Sequence, residues 1–178
     1  KSEFDYDGFN RISSVTFTGE SGYQTPTVTY TYDQTESGFY NHGRLTKIET
    51  ESNGTYGVPA TAHNFRYDKD GRVKKHTQSI GSENYLQEYT YNLAGQLTSQ
   101  KLPSGRIIEN EIDSLGRLAG VSDADSDYLT DVTFNSQGLV SQLDLGNGNE
   151  ETFTYNDRFQ LISQSLLKSS TVLQKYDY

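Results

Sequence analysis

Rings and small polar residues alternate in short runs along the chain. Residues 30–32, 65–67 and 89–91 read Tyr-Thr-Tyr, Phe-Arg-Tyr and Tyr-Thr-Tyr, with a ring at every second position. A period of two is that of a β-strand with one packed face. Asp or Asn follows the second ring and Gly often stands three residues later, which is typical of a tight turn. The pattern therefore predicts consecutive antiparallel β-hairpins and an all-β fold without helices.

The same phrase recurs as an internal repeat: two rings, Asp or Asn, a short turn with Gly, then often Arg and an aliphatic residue. The second ring, or the residue that replaces it, is taken as the anchor of each copy. The anchors are Tyr6, Tyr32, Tyr67, Tyr91, Ile112, Phe134, Tyr155 and Tyr178. Their successive spacings are 26, 35, 24, 21, 22, 21 and 23 residues, and the two long ones indicate insertions around 34–42 and 53–62. Residues 1–178 are interpreted as a single array of about seven repeats, a fragment of a longer chain.

Each repeat should provide two strands, which gives some fourteen in all. Gly at the fourth turn position fits a type I turn that closes on a left-handed residue. Gly71, Gly95, Gly116 and Gly138 should therefore have positive φ angles. Replacing Gly95 with Val should cost about 1 kcal/mol or more, because β-branched residues tolerate positive φ poorly.

Apolar residues beyond the turn lie three positions apart, as Leu45 and Ile48 do, and also Leu118 and Val121. Strict alternation would place them two apart. One interpretation is a β-bulge beside the turn, which changes the face on which later side chains lie. The alternative is a strand that packs on both faces.

Composition and charge narrow the range of partners. The 15 basic and 24 acidic residues give a net charge of −9, which argues against a nucleic-acid partner, since that needs a concentrated positive surface. The chain has no Cys, so disulfides and thiolate metal sites are excluded. No apolar run approaches the roughly 20 residues of a membrane helix. Because 14 Tyr and 8 Phe accompany few aliphatic residues, packing should depend on rings.

Candidate metal ligands are few, and the sequence predicts no metal, cofactor or catalytic residue. Asp123, Asp125 and Asp127 imitate the start of a calcium loop, but Tyr128 stands where the loop needs Gly and Phe134 where it needs Glu. An acidic hairpin tip indifferent to calcium is the preferred interpretation.

The three histidines, His42, His63 and His76, are dispersed, and no two of them have the spacing of metal ligands. We expect them on solvated loops or strand surfaces.

The recurring Arg residues, Arg11, Arg44, Arg72 and Arg117, have two interpretations. They could form a stripe that binds a ligand, or they could contact the Asp or Asn that begins each turn. The second is preferred, because cross-hairpin and inter-repeat polar pairs are commonly structural. The regular Tyr ladder could likewise stack on sugars, although packing between repeats explains it more simply.

The phrase Tyr-Asp, two residues, Gly-Arg-Leu, followed by Pro-x-Gly before the next Tyr-x-Tyr, resembles the YD (Rhs) repeat family. That family includes bacterial Rhs and wall-associated proteins, the C subunits of insecticidal toxin complexes, and the animal teneurins. The resemblance covers nearly the whole chain and weakens in the two insertions. It implies a curved antiparallel sheet that spirals into a hollow shell, which in the toxins encloses a C-terminal effector.

The resemblance assigns a scaffold role to the repeat positions and carries over no active site. These positions are Tyr6, Asp7, Tyr32, Asp33, Gly43, Arg44, Tyr67, Asp68, Gly71, Arg72, Tyr91, Asn92, Gly95, Asp113, Gly116, Arg117, Phe134, Asn135, Gly138, Tyr155 and Asn156.

The leading functional hypothesis is a structural segment of a secreted or cell-surface shell. Its expected partners are the rest of the parent shell, an encapsulated C-terminal effector, and further copies through the sheet edges. The main alternative is a carbohydrate- or protein-binding module that uses the aromatic face. An enzyme is the least favoured reading, since no nucleophile–base pair emerges.

Overall fold

The computed structural model describes residues 1–19, 25–54 and 57–178, so part of the second insertion, residues 55–56, lies outside the described residues. Within these ranges the regular structure is β, and no α-helix occurs. The chain divides into two compact units, residues 1–89 and residues 90–178.

The first unit is a meander in which each strand pairs antiparallel with the next one along the chain. Its strands are β1 (Ser2–Tyr6), β2 (Ile12–Phe17), β3 (Val28–Tyr32), β4 (Leu45–Thr50), β5 (Thr61–Tyr67), β6 (Val73–Ile80) and β7 (Glu83–Tyr91), the last of which ends two residues past the boundary.

The second unit repeats this arrangement. Its strands are β8 (Leu97–Lys101), β9 (Ile107–Ile112), β10 (Leu118–Ser122), β11 (Asp127–Phe134), β12 (Val140–Leu145), β13 (Asn149–Tyr155), β14 (Leu161–Lys168) and β15 (Thr171–Asp177). The predicted all-β fold of antiparallel hairpins is confirmed. The described ranges hold fifteen strands, one more than expected, because the last partial repeat also forms a strand.

The turn geometry predicted for the glycines is confirmed. Gly71, Gly95, Gly116 and Gly138 have φ angles of 85°, 86°, 79° and 81°. In the turn that begins at Asp68, the amide of Gly71 donates to the Asp68 carbonyl, and the amide of Asp68 donates to the carbonyl of Arg72. These two bonds define a three-residue hairpin loop that closes on a left-handed residue.

The bulge interpretation is also confirmed. Tyr32 pairs with Leu45, whereas its neighbour Thr31 pairs with Lys47, so Thr46 is the extra residue. The register shifts in the same way beside Tyr6, Tyr67, Phe134 and Tyr155. As a result, apolar residues three apart in sequence lie on one face of the sheet.

Each unit has two unlike faces, because pairing and alternation keep the rings on one side. We call this side the ring face. In the first unit it includes Tyr30, Tyr32, Ile48, His63, Phe65, Tyr67, His76, Gln78, Tyr85, Gln87 and Tyr89, and in the second unit Asn110, Ile112, Val121, Val132, Phe134, Leu143, Phe153, Tyr155, Gln164 and Leu166. The opposite faces carry mostly Thr, Ser, Lys, Glu and Asp.

Few side chains are fully enclosed. Among the described residues, Val15 is the one hydrophobic side chain that is nearly fully buried, with 6% exposure. The anchor rings in the sheet interior, such as Tyr67 and Phe134, are half-buried. Lateral contacts within the sheet therefore have to provide much of the specificity of the fold.

Candidate functional site

The Asp or Asn that begins each turn organises the turn backbone. Oδ1 of Asp113 accepts hydrogen bonds from the amides two and four residues later, those of Leu115 and Arg117, at 2.8 Å each. Asn135 does the same with the amides of Gln137 and Leu139. The sequence predicted a turn that begins at the Asp or Asn, and the structure shows that its side chain bonds the amides two and four residues later.

In five of the turns the side chain four residues after the Asp or Asn contacts it, and the two types are matched; Asn135, which is followed by Leu139, and Asp33, whose turn is longer, are the exceptions. Asp pairs with Arg: Nε of Arg117 donates to Oδ2 of Asp113 at 2.8 Å, and Asp7–Arg11 and Asp68–Arg72 make the same bond at 2.7 Å each. Asn pairs with Gln: the amide groups of Asn92 and Asn156 donate to Gln96 and Gln160 at 2.9 and 3.0 Å. Sequence reasoning missed this matching, although the offset of four would have revealed it.

The turn arginines also reach the next repeat. Arg11 donates to Asp7 and also to Asp33, at 2.8 Å, and its guanidinium lies 4.1 Å from the ring centre of Tyr32. Arg117 lies 3.9 Å from the ring of Phe134 in the same manner. These contacts are both cross-hairpin and inter-repeat, as the preferred interpretation of the arginines supposed.

These contacts shift the ionisation of the turn carboxylates. Hydrogen bonds from the Arg117 amide, its guanidinium and the Leu115 amide hold the pKa of Asp113 below its ordinary value, although partial burial opposes them. The pKa of Asp33 is lowered first by the Arg11 side chain and then by the amide of Gly43. The carboxylates are therefore stabilised in the charged form.

The anchor tyrosines join each repeat to the one before it. The hydroxyl of Tyr32 donates to the carbonyl of Ile12 at 3.0 Å, and that of Tyr67 to the carbonyl of Leu45 at 2.7 Å. Tyr155 makes the equivalent bond, 2.8 Å long, to Val140. The accepting residue is in each case the one paired with the preceding anchor. The Tyr hydroxyl, a polar group on an otherwise apolar ring, thus has its hydrogen-bond partner within the sheet.

The first insertion folds back onto the following repeat. Asn41, only 3% exposed, donates to the carbonyl of Gln34 at 2.8 Å and accepts from the amide of Tyr67 at 3.2 Å. Glu36 forms an ion pair with Arg66. Arg44, which has no carboxylate four residues earlier, donates to the carbonyl of Tyr40. Sequence reasoning treated this segment as an interruption and did not foresee the contact.

The Asp123 tip has its carboxylate already engaged. Oδ1 accepts from the amides of Asp125 and Ser126 at 3.0 and 2.9 Å, while Oδ2 accepts from the Tyr128 hydroxyl at 2.8 Å and from Arg106. The Asp125 amide bond is the leading cause of its lowered pKa. The side chain is 5% exposed, so little of it faces solvent.

The histidines are arranged differently from the sequence prediction. His42 is fully exposed, as expected, but Nδ1 of His63 lies 3.0 Å from Nε2 of His76. The two are half-buried on adjacent strands β5 and β6 and in contact with each other, although they are dispersed in sequence. Thirteen residues separate them in sequence, and only the hairpin register brings them together.

Within the described ranges, no three or more His, Cys, Asp and Glu side chains converge as a metal site. None of the described segments forms a helix long and apolar enough to cross a membrane.

Comparison with known proteins supports the fold. No family model and no curated protein matches the sequence. A crystal structure of TcdB2–TccC3 aligns with a TM-score of 0.80 at 14% identity, over 99% of this chain and 10% of that one. A mutant Tc holotoxin pore of Photorhabdus luminescens aligns with a TM-score of 0.59 at 15% identity, over 99% and 11%. The chain thus spans about a tenth of these proteins' length, and it shares with them a fold of the YD-repeat type.

Proposed function

We propose that this protein is a non-catalytic repeat scaffold: one segment of a single, longer YD-repeat array that curves into a secreted or cell-surface shell. The observation that carries the proposal is that the polar side chains of the repeats are engaged in contacts within the sheet. The turn carboxylates, the arginines and the anchor hydroxyls, which could otherwise serve chemistry, make contacts within and between repeats. The fold shared with chains about ten times longer supports the same role.

A shell made of such a sheet separates an inside from an outside with one layer of protein. The unlike faces suit this role, because the ring face can lie against a partner while the opposite face carries charge. In this proposal the partners are the remaining repeats of the parent protein and a C-terminal effector enclosed by them.

The test uses the full parent protein. Electron microscopy should show a hollow particle, and the C-terminal segment should resist protease while the shell is intact. A triple variant, Gly71→Val, Gly116→Val and Gly138→Val, should open the sheet and expose that segment. The matched control places Val at Asp70, Leu115 and Gln137, the preceding turn residues. A compact particle without internal volume, or equal cleavage in all forms, would reject the shell.

The second candidate is a carbohydrate- or protein-binding module. It is favoured by one feature of the first unit, where the rings of Phe65 and His76 lie within 7° of parallel beside Tyr85, which is 43% exposed. Such rings can stack on sugar faces. A glycan array should show binding that Tyr85→Ala abolishes; an array without signal removes the carbohydrate-binding candidate and leaves the scaffold unaffected.

A further inference from the structure

The His63–His76 pair has an arrangement that neither the repeat nor the scaffold role requires. The nitrogens are 3.0 Å apart, and the rings lie within 6° of parallel with centres 5.2 Å apart. The ring centres are farther apart than the two nitrogens by about the sum of the two ring radii. The imidazoles therefore lie edge to edge in one plane, with a nitrogen of each directed at the other.

The surroundings hold His76 in a form that can act as a ligand. Its Nδ1 lies 3.4 Å from Oε1 of Gln87, and the same oxygen accepts the Tyr89 hydroxyl at 2.9 Å. Since that oxygen is an acceptor, neutral His76 carries its proton on Nδ1 and keeps the lone pair of Nε2 toward His63. A ring N–H bound to a carbonyl oxygen is the usual support of a metal-bound histidine.

We propose that His63 and His76 form a two-histidine site for a divalent transition-metal ion that favours imidazole, such as Zn²⁺ or Cu²⁺. Two nitrogens bound at 2.0–2.1 Å to a tetrahedral or square-planar ion lie about 3 Å apart, close to the distance already present. The rings tilt so that both lone pairs converge on the ion, His63 moves its proton to Nε2, and water completes the coordination.

The site would act as a cross-strand link. His63 lies on β5 and His76 on β6, and Phe65 covers His76 with a parallel ring whose centre is 4.9 Å away. The ion would therefore tie two neighbouring strands at a half-buried position of the ring face. A hard cation such as Ca²⁺, which prefers oxygen ligands, would not bind there.

Calorimetric titration of the whole chain with ZnCl₂ tests the proposal. We expect one ion per chain and, at a free zinc concentration 100 times Kd, a Tm about 5–10 °C higher that EDTA reverses. His63→Gln and His76→Gln should each remove the site, and Gln87→Leu should weaken it about tenfold. His42→Gln, at an exposed histidine, should bind like the unmodified chain.

Spectroscopy on the unmodified chain gives a result that does not depend on any variant folding. The Cu²⁺ complex should show two imidazole nitrogens in its electron paramagnetic resonance spectrum. One nitrogen alone, no zinc binding at millimolar concentration, or binding unchanged by His63→Gln would each overturn the assignment.

Discussion

Apart from the longer turn at Asp33, the fourth position of the repeat turns has a left-handed backbone whatever residue occupies it. Gly fills it in several copies, but Asn10 and Phe159 stand there with φ angles of 61° and 62°. Asn tolerates this region, whereas an aromatic residue is strained by roughly 1–2 kcal/mol. Sequence reasoning could predict the conformation because the Asp/Asn-x-x-Gly spacing is local, and the fold enforces it even where Gly is missing.

Gly138→Val isolates the cost of that backbone conformation. A Cβ on Gly138 would meet no other atom within 4 Å, so no steric clash with neighbours contributes. We expect the free energy of unfolding to fall by about 1 kcal/mol or more, because Val tolerates positive φ poorly. Urea denaturation measures it. Gln137→Val, one residue earlier and without positive φ, should change stability little; equal losses in both would contradict the argument.

The anchor hydroxyl offers a second residue-scale test. Tyr155→Phe removes the 2.8 Å bond to the Val140 carbonyl and keeps the ring, so stability should fall by about 1 kcal/mol. Phe134 occupies the same position one repeat earlier without a hydroxyl. Phe134→Tyr should place a donor beside the carbonyl of Leu118 and should not destabilise. Chemical denaturation measures the free energy of unfolding of both variants. If Tyr155→Phe leaves it unchanged, the hydroxyl bond adds nothing to stability.

At the scale of the hairpin, most turns pair the side chain of their first residue with a chemically matched side chain four residues later. Where the pair is present, Arg matches Asp and Gln matches Asn, because a carboxylate only accepts, whereas an amide both donates and accepts. Asn135, which is followed by Leu139, shows that the pair is not obligatory. The recurrence of Asp and Arg was sufficient to predict a contact. The Asn–Gln equivalent escaped prediction because Gln96 and Gln160 look like ordinary polar strand residues.

The Asp–Arg turns should lose stability in acid. The pKa of Asp113 is lowered in the folded state, so its contribution is complete above the unfolded value, about 3.9, and is lost as pH falls through the folded value. Asp113→Asn should be less stable at pH 7 and lose less on acidification. The double variant Asp113→Asn/Arg117→Gln recreates the pair at 156 and 160 and should recover the pH 7 stability. Urea titrations at pH 7, 4 and 2.5 measure the free energy of unfolding. If it falls with pH as steeply in Asp113→Asn as in the unmodified chain, the argument is refuted.

The acidic hairpin tip should be indifferent to calcium. Both oxygens of Asp123 are engaged, and Arg106 holds the place that a cation would need. Thermal melts with CaCl₂ and with EDTA should therefore coincide, in contrast to the rise expected with zinc. A difference of several degrees that Asp123→Asn abolishes would show that calcium displaces the arginine.

At the scale of the molecule, the features that the sequence predicted are those that depend on interactions between residues close together in the chain. Strands, turns and bulges arise within one repeat of about 22 residues, and the sequence displays them directly. The burial of Asn41 and the meeting of His63 with His76 depend on the register between strands and on the path of an insertion. No local pattern encodes either, so both emerged only from the folded chain.

Strand β15 gives the last prediction, which concerns association of the 178-residue chain. It pairs with β14 through the inward amide of Tyr178, and alternation directs the backbone groups of Lys175 and Asp177 to the other edge. An antiparallel pair of β15 strands centred on Tyr176 would place the two Tyr176 rings next to each other. Lys175 of each copy would then lie opposite Asp177 of the other copy. Exposed edges of this kind template pairing, and the net charge of −9 is screened beyond about 8 Å at physiological salt.

We therefore expect a concentration-dependent dimer in sedimentation velocity at high protein concentration. Lys175→Pro should abolish it, because proline removes an outward donor and leaves the bonds to β14 in place. Lys175→Glu should weaken it, since like charges would then face each other, whereas Lys69→Glu, in a turn of the first unit, should not. A strict monomer at all concentrations, or a dimer that survives Lys175→Pro, would rule out pairing through this edge.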